Sequence, residues 1–211
     1  MKEQNEQLEH LAEIRTMMER SSRFLSLSGL SGISAGIIAL AGAFAAYQYM
    51  GWEAFSSHEV YETNAMRGGR DYTSFLIADA LVVIVLALLS GFYFTWRKAK
   101  KKGYQIWTPT ARRLAINLLI PLATGGIFCL ILIFKYHLVG LVAPATLIFY
   151  GLTLLNASKY TLDEIRYLGI SEIILGLIAT FYIGYGLLFW AIGFGVLHIV
   201  YGALMFNKYE R

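Results

Sequence analysis

The sequence has 211 residues, 57% of them hydrophobic and 15% charged, with a net charge of +4 and a mean hydropathy of +0.54. A soluble domain carries about 25% charged residues, so this composition excludes an ordinary soluble globular domain. The charges crowd into short stretches between apolar runs, each long enough to cross a hydrocarbon core of ~30 Å, where an unpaired backbone must be helical.

Residues 1–23 are charged and helix-favouring, and Leu8, Leu11, Ile14 and Met18 recur at three- and four-residue steps on one stripe. Glutamates offset the lysine and arginines there. The expectation is an amphipathic cytoplasmic helix over 1–23 whose stripe at 8–18 lies on the membrane surface or against a protein partner; a solvated extension of the first span is the alternative. The small residues at 43–45 mimic a signal-peptide cleavage site, but the leader is acidic and the apolar stretch is longer than a signal core of about 7–15 residues, so a retained anchor is expected.

Apolar patterning predicts an all-α polytopic membrane protein, a bundle of six transmembrane helices over 24–211, with spans near 24–50, 72–96, 113–136, 138–158, 166–186 and 188–207. The first span carries Ser28, Gly32 and Gly36 at four-residue steps, and the fifth carries Gly169 and Gly176. Small residues of this kind let helices approach closely in lipid, within one chain or in a homo-oligomer. The loop after the first span holds His58 and Glu62, which share a face if that loop is helical; two ligands make an incomplete metal site. The "RKAKKK" run after the second span reads as an orientation signal in contact with anionic lipid, not as a nucleic-acid surface. Cys129, the one cysteine, allows no internal disulfide and reads as packing. Pro121 and Pro144 predict kinks in spans three and four. "TLDE" at 161–164 resembles a capping box, so the fifth helix is expected to start near Thr161. Trp52, Trp96, Trp107 and Trp190 fall near span ends, where interfacial rings belong.

Of the 18 Lys and Arg residues, 15 fall in the terminal segments and the even-to-odd connections, and three in the others. That bias predicts a multi-pass inner-membrane protein with both termini in the cytoplasm.

Three titratable residues sit inside apolar spans: Asp79, Glu172 and His198. Each costs on the order of 2–3 kcal/mol at mid-membrane, so such groups turn toward protein or water and mark functional sites. Counting 1.5 Å per residue puts Glu172 about 9 Å and His198 about 15 Å from the cytoplasmic face. The fifth and sixth spans are antiparallel neighbours, so Glu172–His198 is the leading pair. Asp79 lies nearer the outer face and can extend a vertical series suited to protons, since histidine titrates near neutrality. The competing reading is that the pair caps neighbouring carbonyls and holds the bundle in register.

"GISAGIIALAGAF" (32–44) aligns with "GISEIILGLIATF" (169–181), and "YGLTLLNASKY" (150–160) with "YGALMFNKY" (201–209), which predicts three tandem helical hairpins. This pattern of glycine-punctuated hairpins resembles the HdeD family of bacterial acid-resistance membrane proteins, mainly over 166–207 and weakly over 29–44. The resemblance implies six spans and a role in stress response; it carries over no functional residue. The sequence has no HExxH, P-loop, Rossmann or GxSxG motif and calls for no cofactor. A transporter or channel for protons or a small solute is therefore the first expectation, a non-enzymatic stress or scaffold protein the second, and a membrane enzyme the third.

Overall fold

The computed structural model describes residues 24, 27–51, 66–67 and 70–211, with backbone alone at 66–67 and 70–71. The expected helix over 1–23, its stripe at 8–18, Trp52, and His58 and Glu62 lie outside the described residues. Among those described, the protein is helical apart from a two-residue antiparallel ribbon, β1 (Met66–Arg67) against β2 (Arg70–Asp71). The helices are α1 (Gly29–Met50), α2 (Tyr72–Lys102), α3 (Pro109–Phe134), α4 (Val142–Ala157) and α5 (Glu164–Ala179). A final rod follows, of α6 (Gly186–Trp190), a π-helical segment (Ala191–Leu197) and α7 (His198–Tyr209).

Local chemistry fixes several ends. Gly51 and Gly103 take positive φ, 78° and 67°, directly after α1 and α2, where a residue with a Cβ would be strained. Thr108 caps α3 by accepting from the Ala111 amide at 3.1 Å, with Pro109 in the first turn, where a missing N–H costs nothing. Pro121 lies inside α3. Pro144 does not interrupt α4 as expected: it is the third residue of that helix, where proline is tolerated. The capping-box expectation also fails. α5 starts at Glu164, three residues later than read, and its N-cap Asp163 makes no side-chain cap bond. The Thr161 hydroxyl donates instead to the Phe24 carbonyl at 2.9 Å, tying the turn before α5 to the segment before α1.

Among the described residues, five helical segments are long and apolar enough to cross a membrane: Gly29–Met50, Tyr72–Lys102, Pro109–Phe134, Val139–Tyr160 and Ile183–Tyr209. The fifth expected span, 166–186, is not among them and is shorter than expected. The chain turns at Thr180–Tyr182 and α5 has 16 residues, about 24 Å at 1.5 Å per residue.

Glycines order the helices. α1 runs antiparallel to the final rod, with Gly29, Gly32 and Gly36 facing Phe206, Gly202 and Gly195. A methyl on Gly202 would stand 2.6 Å from the Ile33 nitrogen and 2.8 Å from the Gly29 carbonyl oxygen. α5 runs antiparallel to α4 through an equivalent contact, where a methyl on Gly169 would stand 2.8 Å from the Gly151 carbonyl oxygen. The glycine stripes of spans one and five are thus used inside one chain. Matched hydroxyls bridge two hairpins: Ser34 to Ser90 at 3.2 Å, and Ser171 to Tyr201 at 3.3 Å. Asn156 to Asn117, at 3.1 Å, bridges the remaining one. The helix order across the bundle is α2, α1, final rod, α5, α4, α3, with α2 and α3 making no extensive contact. Their outward faces are apolar, with Leu88, Leu89, Phe92, Leu119, Ile120 and Ile127 exposed, as lipid-facing surfaces are.

One end of the bundle is tied by polar groups. Glu210, just past α7, accepts from the Gly29 amide at 2.5 Å and from the Ser28 hydroxyl at 3.0 Å, so it caps α1 from the far end of the chain. Lys98 joins it at 3.3 Å and also donates to the Leu27 carbonyl at 2.5 Å. The side chains of Lys98 and Glu210 are only 6% and 11% exposed. Nearby, Lys208 donates to Glu164 at 2.6 Å.

Candidate functional site

Glu172 projects from the middle of α5 and is 0% exposed. Room for it comes from Gly193, in the π-helical segment opposite. A methyl there would stand 2.5 Å from Glu172 Oε2 and would strike Leu147. A π-helical turn is wider than an α turn and tends to occur at functional sites. It ends at His198, which is 6% exposed.

The histidine lies among three partners. Its Nδ1 is 3.0 Å from the Gly193 carbonyl oxygen. That oxygen can only accept, so Nδ1 carries a hydrogen. Its Nε2 is 2.8 Å from the Tyr150 hydroxyl, on α4. A neutral ring accepts there from the tyrosine O–H; a charged ring donates. Glu172 Oε1 is 3.4 Å from Nδ1. The Nδ1 hydrogen is aimed at Gly193, however, so neither Glu172 oxygen has a hydrogen-bond partner among the described residues. The expected pair is therefore brought together at ion-pair distance, without a hydrogen bond. A small swing of the ring would pass the Nδ1 hydrogen from Gly193 to Glu172.

The surroundings are packed. Leu147 and Thr153 on α4 are completely enclosed. Phe194 stacks near His198, with ring centroids 5.9 Å apart, and contacts Tyr150 at 5.0 Å and Trp190 at 5.1 Å. The residues at 190, 194 and 198 follow a four-residue step down one face of the final rod.

Asp79 is elsewhere. No hydrogen bond or ion pair joins it to His198, to Glu172 or to any other described residue, and its carboxyl packs beside Gly42. It lines a groove of about 160 Å³ that Trp190 shares. The expected series is thus interrupted: Trp190 lines the groove with Asp79, and Phe194 contacts both Trp190 and His198. Among the described residues, no three His, Cys, Asp or Glu gather as a metal cluster.

Two members of the site escaped the sequence reading. Tyr150 comes from a helix parallel to the final rod, and in sequence it is one of 14 tyrosines. Gly193 had a readable signal, the "GFG" placed one turn before a buried histidine.

No family model, no curated protein and no solved structure matches the chain.

Proposed function

We propose that the chain is an inner-membrane protein of six crossings with both termini cytoplasmic, and that it moves protons, alone or with a small solute, through Glu172, His198 and Tyr150. One observation carries this reading: a fully enclosed carboxyl group stands 3.4 Å from a histidine nitrogen and has no hydrogen-bond donor of its own. A purely structural acid is expected to have its oxygens satisfied, because leaving buried polar groups unpaired costs about 1–3 kcal/mol each. Here the imidazole has a hydroxyl on one nitrogen and a carboxyl near the other. It can take a proton at Nε2 while releasing one from Nδ1 to Glu172, and a ring flip resets it. The crossing count rests on the five long apolar segments with α5 as the short sixth. The orientation rests on the 15-to-3 distribution of cations.

The test is proton flux in liposomes, comparing the native chain with Glu172→Gln and Glu172→Leu. Folded, monodisperse variants with flux reduced at least tenfold are expected. Native flux in Glu172→Gln would overturn the proposal.

The second reading is a non-enzymatic stress-response or scaffold protein, as the resemblance to the HdeD family implies. It is favoured by the complete enclosure of Glu172, with Leu147 also packed at Gly193, which suits a register pin. Under that reading Glu172→Leu fails to fold or accumulate.

A further inference from the structure

The groove at Asp79 is separate from the Glu172–His198 pair and has a different chemistry. It is lined by residues of α1, α2, α3, α4 and α6, near the bundle end opposite Glu210. Leu76 and Ile77 of α2, Ile133 of α3, Val142 of α4 and Trp190 of α6 give it an apolar wall. Asp79 is the one charged residue lining it among the described residues, and none of the described cations pairs with this carboxylate. Such a group in an apolar setting demands either a counter-ion or a proton.

We propose that this groove binds a lipophilic organic cation, an ammonium carrying an aromatic or short branched apolar group. Three features select that class. The carboxylate supplies the single countercharge. Trp190 supplies an aromatic face, the preferred π partner of a cation that sheds its water poorly matched to hydrocarbon. The volume of about 160 Å³ is comparable to the cavity of about 150 Å³ that accepts a benzene ring. An inorganic cation is disfavoured, because beside the Asp79 carboxylate only the Thr73 and Thr146 hydroxyls bring side-chain oxygen to the groove, short of the about six to eight ligands a hard cation takes. The site does not depend on proton movement at Glu172.

The test uses the full chain in lipid nanodiscs and two probes of the same shape: benzyltrimethylammonium and its neutral isostere neopentylbenzene. Equilibrium dialysis is expected to show saturable binding of the ammonium, one per chain, weakened about tenfold or more by Asp79→Asn. The same substitution should leave neopentylbenzene uptake unchanged. Ile133→Trp, which keeps the acid and fills the groove, should abolish ammonium binding. Glu172→Gln should leave it intact, which separates this site from the proton reading. Uptake no greater than that of empty nanodiscs would overturn the proposal. So would unchanged ammonium binding in Asp79→Asn or in Ile133→Trp. Equal displacement of the ammonium by neopentylbenzene would mark the groove as an acyl-chain seat and overturn the assignment to a cation.

Discussion

At the scale of single residues, the site depends on a missing side chain. Gly193 is where α5 and the final rod leave space for a carboxyl group. Gly193→Ala is expected to lower stability by about 1–3 kcal/mol through overpacking, read by denaturant titration in detergent. Part of that loss comes from Glu172 and part from Leu147, so Gly193→Ala combined with Glu172→Ala should be less destabilised than the sum of the two single changes. Strict additivity would mean that the methyl and the carboxyl do not compete. The pairing of Glu172 with His198 was legible in the sequence because both depths could be counted from nearby charged residues along antiparallel helices. The missing hydrogen bond was not, since it depends on where Nδ1 points, and that is set by a carbonyl in a π-helical turn. Asp79 was legible as an acid in the first half of the second apolar run, far along it from Lys98. Its isolation from the pair was not, because it follows from two aromatic rings stacked down a neighbouring helix.

At the scale of elements, backbone proximity at glycine does what hydrophobicity cannot do in lipid. Gly202→Ala sets a methyl against backbone atoms of α1 on two sides, and backbone cannot give way as a side chain can. A loss on the order of 3 kcal/mol is expected. Gly91, on α2, has nothing within 4 Å of the added methyl. Gly91→Ala should therefore stabilise the helix by about 1 kcal/mol. Equal effects at the two positions, measured by the same denaturant titration, would refute the packing account. The repeated glycine–isoleucine–serine pattern made this geometry readable in part, since Gly32 and Gly169 both meet a glycine of an even-numbered span, and Ser34 and Ser171 both bridge their own hairpin. The length of α5 was not readable: the apolar run continues past Thr180 although the helix does not, and hydropathy does not register a turn made of Phe181 and Tyr182.

At the scale of the whole molecule, the polar end of the bundle joins segments far apart in the chain. Glu164, at the start of α5 and outside the long apolar spans, feels burial that opposes its charge. The hydrogen bonds from Lys208 and Tyr209 outweigh it, so its carboxyl titrates below the usual glutamate range. A depressed folded-state value means that its contribution is complete above the unfolded value of about 4.3 and is lost as pH falls through the folded one. The stability difference between native chain and Glu164→Gln should hold steady from neutrality to about pH 5 and shrink below it, as followed by thermal unfolding across pH. Glu210 is more consequential, because removing it strands Lys98 almost out of reach of water. Glu210→Ala is expected to cost about 3 kcal/mol or more.

The cap on α1 also bears on how the chain is made. α1 is the first of these helices to leave the ribosome, while Gly202 and Glu210, which face and cap it, are made after all the other described helices. The final rod must then enter beside helices made before it, and α1 cannot reach its final spacing until that rod has been made. A nascent chain stalled before Gly202 should leave α1 open to whatever insertion factor holds transmembrane segments in waiting.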